Sequence, residues 1–302
     1  MGRWDFSERN RNQPEQESAG PSVGRGGTKE HPSEDIQDRD TTSQASSSAT
    51  RERRSKHHGR DREFNLRPSE IEAMADIGRF RTLDRKDLTR FVYGGQDTRA
   101  NADINNLRRQ GLIEEKTVFR ANKSPRKMVT LTEQGQRVLR SLRAVPASQK
   151  TYRGFVKPKE IEHDADLYKV YQKAAQRISE QGGRVTRVRL DFELKESINR
   201  ARQVASELPE DMRARWLEAV AAEHGLTTDG KTIHLPDIQV EYQTQDGRIA
   251  RENLELVSRN YREQGIRGKA SAGFTMYARS GDTARVRRAL ADTGAVREVF
   301  AI

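Results

Sequence analysis

The sequence predicts an α+β protein in two parts: a small module ordered helix, helix, helix, strand, strand, helix, then a larger one ordered α, β, β, β, α, β. Three observations carry that expectation. Between Ser69 and Leu107, apolar residues recur every three or four positions behind cap residues, the pattern of helices with one buried stripe. The period drops to two at LIEEKTVF (112–119) and again at RVTRVRLDFELK (184–195), as in half-buried strands. Finally, Asp246-Gly247 separates two alternating runs, the dipeptide of a tight hairpin turn.

Composition narrows what such a protein does. Of 302 residues 33% are hydrophobic and the mean hydropathy is −0.97, so part of the chain belongs to no core. There is no cysteine, which excludes disulfides, thiolate metal sites and cysteine nucleophiles and fits a reducing cytoplasm. The first residues, MGRWDFSERN, lack an apolar signal core, and no run of about 18 apolar residues follows; the expectation is a cytoplasmic protein with no membrane partner. The net charge of +11 and pI of 9.9 favour a polyanionic partner through counterion release. Residues 1–62 hold 12 Lys/Arg against 11 Asp/Glu, so nearly all the excess lies beyond them.

Residues 1–62, rich in Ser, Gly, Gln and charge, read as a disordered tail. Its basic cluster Arg51, Arg53, Arg54, Lys56 and Arg60 reads as solvated, and its removal is expected to leave the fold intact. Order begins at Arg67, where Ser69 and Glu72 form a capping box for a helix burying Ile71, Met74, Ala75 and Ile77. Asp84 opens RKDLTRFVY, which Gly94-Gly95 ends, and a third helix runs from Thr98 to Arg109 before Gly111. Strands LIEEKTVF and MVTLT follow, joined by the basic loop RANKSPRK, and Thr132 caps EQGQRVLRSLR. This is the order of a winged helix-turn-helix over 67–143, and the stretch from NNLRRQGLIEE to KMVTLTEQGQRVL resembles bacterial winged-helix regulators. The resemblance implies double-stranded DNA as partner, with the third helix in the major groove and the wing on the backbone. The module's charge agrees, with 17 Lys/Arg against 10 Asp/Glu. Candidate DNA-binding residues are Arg99, Asn101, Asn105, Arg108 and Arg109 on or beside the third helix, and Arg120, Lys123, Arg126 and Lys127 on the wing. Asn and Arg are the side chains able to bridge two atoms of a base edge.

Residues 144–160, with Pro146, Gly154 and Pro158, read as a linker to a second domain over 161–302. His163 or Asp164 caps ADLYKVYQKAAQRI; the strand 184–195 follows; residues 196–224 form a helical insertion split at Pro209. Ile238, Val240 and Tyr242 mark the next strand, which returns after Asp246-Gly247 through Ile249 to Val257. SRNYREQGIRGKASAG suits a helix, FTMYA a strand, and DTARVRRALADT a helix before REVFAI closes the chain.

With Pro236-Asp237 opening the second strand and Glu255 on the third, this αβββαβ order resembles the PD-(D/E)XK nuclease superfamily, hence a nuclease-like domain. A winged helix followed by HDADLYKVY and a PD strand is similar, more narrowly, to the replication-relaxation family of plasmid and mobile-element proteins. The resemblance implies that Asp237 and Glu255 hold Mg²⁺ in active members, with a lysine two residues after the glutamate to position or activate water. Val257 occupies that place here, and only Lys269 or Lys195 could replace the lysine. The resulting expectation is a DNA-binding protein of plasmid or mobile-element replication or mobilisation with an inactive nuclease-like domain. It has no resident cofactor, and relaxase or replication proteins are its partners. Two alternatives stand beside it. One is a winged-helix transcriptional regulator with a sensing or dimerisation domain. The other is an active Mg²⁺-dependent endonuclease built on Asp237, Glu255 and Lys269. His163, Asp164 and Asp166 read as a helix opening rather than a metal site.

Overall fold

The computed structural model describes residues 53–59, 62–120, 123–157, 160–228, 232–291 and 298–302. Order starts earlier than the sequence reading places it. Strands β1 (Ser55–His58) and β2 (Glu63–Leu66) pair antiparallel, so a tail reaching residue 62 is corrected; residues 1–52 lie outside the described residues. The physical reason is tertiary: Phe64 and Leu66 alternate into the core, and Arg54 neutralises two buried carboxylates, Glu70 and Asp103, at 2.7 and 3.2 Å.

Helix α1 (Pro68–Phe80) opens on Pro68, with the Glu70 carboxylate accepting the Arg67 N–H at 2.7 Å. The cap therefore sits two residues before the expected Ser69, whose hydroxyl donates to Asp103 at 2.8 Å instead. The two-residue strand β3 (Leu83–Asp84) ends at the Asp84 cap of α2 (Arg85–Val92). Gly94 and Gly95, at φ of 57° and 82°, turn the chain into α3 (Asp97–Arg109). Strands β4 (Ile113–Arg120) and β5 (Lys123–Leu131) form the ribbon of a three-stranded antiparallel sheet ordered β3-β5-β4. Helix α4 (Glu133–Ser141), capped by Thr132, crosses this sheet so closely that a Cβ on Gly135 would lie 1.9 Å from the Leu112 carbonyl oxygen.

The expected linker is instead packed. The Tyr152 N–H donates to the Gly78 carbonyl at 2.7 Å. The buried Gln149 amide both accepts from the Val188 N–H at 2.8 Å and donates to its carbonyl at 2.9 Å, acting as a strand partner for a sheet edge.

Beyond it run α5 (Ile161–Glu180), β6 (Arg184–Leu190), α6 (Asp191–Glu207) and α7 (Glu210–Glu223). Then come β7 (Ile238–Gln243), β8 (Ile249–Val257), α8 (Glu263–Ser271), β9 (Thr275–Ala278), α9 (Thr283–Ala291) and β10 (Val299–Ala301). The sheet order is β10-β9-β8-β7-β6, antiparallel from β6 to β8 and parallel from β8 to β10. The strand expected over 184–195 stops at Leu190, because Glu193 accepts the Leu190 N–H at 3.3 Å and starts a helix there. The helical insertion accordingly begins at Asp191 rather than residue 196. Helix α5 opens behind Glu160, not His163 or Asp164.

The architecture is mixed α/β, and its two halves share one hydrophobic core running from Phe64 and Leu66 through Tyr168 to Leu256 and Tyr277. Tyr168 is the joint: its ring meets Phe80 and Phe91 edge-on at 5.3 and 5.6 Å, and its hydroxyl donates to Asp76 at 2.6 Å. Among the described residues no helix is long and apolar enough to cross a membrane.

Candidate nucleic-acid interface and carboxylate–lysine site

Helix α3 buries Ala100, Asp103, Ile104 and Leu107, which leaves Asn101, Ala102, Asn105, Arg108 and Arg109 facing outward. Asn105, Arg108 and Arg109 line an open cleft of about 460 Å³ together with Ala102 and Arg54. Arg54 is the member that the sequence reading missed; the alternation in Glu63–Leu66 was the available signal that order begins upstream of Arg67.

The wing contributes unevenly. Lys127, 59% exposed, lies on the same side as Arg108, both cations standing 3.9 Å from Glu115. Arg85 also pairs with Glu115, so one carboxylate serves three cations and the face stays positive. Arg126, expected on this face, points to the other side and is held by Asp84 at 2.7 Å. Asn101 accepts from Arg85 at 2.6 Å. Arg99 is half-buried on α3, and the backbones of Arg120 and Lys123 pair at the wing tip.

In the αβ half, the pairing of Ile238 with Leu254 sets Asp237 opposite Glu255 at one end of the sheet. Glu255 is fully buried; Oε2 accepts the Asp237 N–H at 3.3 Å, and Oε1 accepts the Tyr261 hydroxyl. Lys269, from α8, places its ammonium 3.0 Å from the same carboxylate and also donates to the Leu235 carbonyl. Asp237 Oδ2 accepts the Leu256 N–H at 2.9 Å, and Oδ1 lies 3.6 Å from His163 Nε2. The structure thus unites Asp237, Glu255 and Lys269, and adds Tyr261 and His163. Lys195 is bound to Asp191 instead. Val257 shares the Glu255 face of β8, yet packs into an apolar cluster with Ile266, Phe274 and Val286.

Electrostatics follow from that enclosure. Burial, reinforced by the Asp237 charge, pushes the Glu255 carboxyl up to about 7, against the pull of Lys269 and Tyr261. Burial alone would lower the His163 pKa, but the Asp237 carboxylate, helped by Asp164 and Asp191, raises it on balance.

These residues do not fit Mg²⁺ as they stand. Both oxygens of Glu255 and one of Asp237 already accept hydrogen bonds, and the Lys269 ammonium already pairs with Glu255. Burial of Glu255 and its pairing with Lys269 leave little carboxylate charge exposed for a hard cation, and among the described residues no group of three or more His, Asp or Glu side chains could hold a metal ion.

No family model and no curated protein matches the chain. Among solved structures, the crystal structure of Bacillus subtilis PadR in complex with operator DNA covers 52% of this chain and 94% of its own, at 16% identity and a TM-score of 0.21. A superposition that loose fixes neither the fold nor the function of this chain.

Proposed function

We propose that the chain binds duplex DNA through the outer face of α3 and the wing, and that its αβ half is a nuclease-like scaffold that does not cleave. The observation that carries this reading is the convergence of Asn105, Arg108 and Arg109 on one open cleft, with Lys127 beside it. Cations there neutralise phosphates, and Asn and Arg offer paired hydrogen bonds to base edges. Silence of the second site is supported by the occupied oxygens of Glu255 and by Val257 in the place of the lysine. A setting in plasmid or mobile-element replication or mobilisation, with relaxase or replication proteins as partners, is supported by the element order alone. Titrating labelled duplex with the full chain tests the binding reading: Arg108→Ala and Arg109→Ala are expected to weaken binding, and Asn105→Ala to change sequence preference. Wild-type affinity in all three variants contradicts it.

One observation favours the endonuclease reading, namely the Lys269 ammonium 3.0 Å from Glu255. Plasmid nicking in Mg²⁺ or Mn²⁺ separates the two. No cutting is expected; cutting lost in both Asp237→Ala and Lys269→Ala would replace the scaffold with an active site.

A further inference from the structure

Phe119, near the wing tip, is 81% exposed, more than any other large apolar side chain among the described residues. Single exposed apolar residues are ordinary on protein surfaces. What sets this one apart is where the strand aims it. Side chains two apart on a strand share a face, so Glu115, Thr117 and Phe119 point one way and Val118 the other. Val118 packs inward, against the cluster of Met128 and Val156. Glu115 points to α3, 3.9 Å from Arg108, and to Lys127 at the same distance. Phe119 therefore projects on the recognition-helix side of the wing, beyond Lys127.

The strand opposite leaves the ring uncovered. Val118 pairs with Arg126 and Arg120 with Lys123, so the register slips and Ser124 and Pro125 together face Phe119. Proline has no N–H for the ladder and is tolerated at such a bulge, and bulges re-aim neighbouring side chains. The result is an unpacked aromatic ring at the end of a cationic ribbon, on the face that carries Arg108 and Lys127. The cations beside it select a polyanion, and an apolar side chain next to them finds its counterpart where bases can be reached between two phosphate walls.

We propose that Phe119 is an apolar wedge that enters the DNA minor groove beside the α3 contact and loosens a base step. The proposal rests on the DNA-binding reading above, and the test separates the two. Full-length protein is titrated with a short mixed-sequence duplex over a range of salt, as wild type, Phe119→Ala, Phe119→Trp and Lys127→Ala. Phe119→Ala is expected to weaken binding about tenfold with the log–log salt slope unchanged, because no phosphate contact is lost. Lys127→Ala is expected to flatten that slope by about one. The tryptophan placed at 119 should be quenched by duplex and shielded from iodide.

Wild-type affinity in Phe119→Ala, with Lys127→Ala weakened, overturns the wedge and leaves DNA binding standing. Failure of the wild-type protein to bind duplex at low salt removes both readings. A change in the sedimentation of free Phe119→Ala, with its DNA affinity intact, assigns the ring to a second copy of the chain and likewise overturns the wedge.

Discussion

Arg54, just before β1, ties the first hairpin to α1 and α3 through Glu70 and Asp103. Glu70 and Asp103 are fully buried; Arg54 contacts both, and Arg67 lies 2.6 Å from Asp103. Removing one partner of a buried pair leaves an uncompensated charge, so Arg54→Ala is expected to cost about 2–4 kcal/mol in denaturant unfolding. Arg54→Lys should recover only part, since an ammonium cannot reproduce the planar contact with two carboxylates. An unchanged midpoint would show that Arg67, Ser69 and Asn106 suffice. Glu255 gives a pH signature. Its carboxyl titrates near 7 in the folded chain against an ordinary 4.5, so the folded state holds the proton more tightly between those values. That contribution to stability is complete below about 4.5 and is lost as pH rises through 7. Asp87 and Asp164, each pushed up to about 6 by burial, act with the same sign. Thermal stability should therefore fall between about pH 5 and 8, and Glu255→Gln should remove on the order of 1–3 kcal/mol of that dependence. Parallel pH profiles for wild type and variant would contradict the buried, raised carboxyl.

Much of the element order is local information, which is why the sequence discloses it. Asp84 and Thr132 cap α2 and α4 through bonds to backbone N–H groups two and three residues on, and the alternation of β4, β5, β7 and β8 is visible without any partner. What was not legible depends on distant groups. The first hairpin is stable because α1 and α3 receive Phe64, Leu66 and Arg54, and beyond the four-residue alternation of Glu63–Leu66 nothing in that polar segment announces it. The start of α6 turned on Glu193, one acid inside an alternating run that reads equally well as strand. Asp237 and Glu255 were singled out by the resemblance, while the alternation and the Asp246-Gly247 turn marked the two strands that bring them opposite each other. Lys269 and Lys195 were both open as the replacement lysine; the choice of Lys269 was not legible, because its reach to Glu255 is set by the β8–α8–β9 crossover. Deleting residues 1–62, expected from composition to be harmless, is now expected to lower the melting midpoint by several degrees, since it removes β1 and Arg54. An unchanged midpoint would show that the hairpin merely rests on the helices.

Residues 53–302 are expected to unfold as one cooperative body because their core is continuous across the segment that resembles a linker. Tyr168 ties the halves through Phe80, Phe91 and Asp76, and Tyr168→Ala is expected to cost about 3–5 kcal/mol. Trp216 emission, reporting the αβ half, and amide exchange in α3 should then shift together; separate transitions would restore two independent domains. The proposed DNA binding likewise depends on the assembled surface, where Arg108 and Arg109 of α3 and Lys127 of β5 stand together. The salt dependence of duplex binding by the full chain tests that most directly. Each neutralised phosphate contributes about −0.9 to the slope of log K against log salt, so a face presenting Arg108, Arg109 and Lys127 predicts a slope of roughly −3 or steeper. Simultaneous replacement of those three by alanine should make the slope markedly shallower. A wild-type slope near zero, or an unchanged slope in the triple variant, would contradict DNA binding at this face.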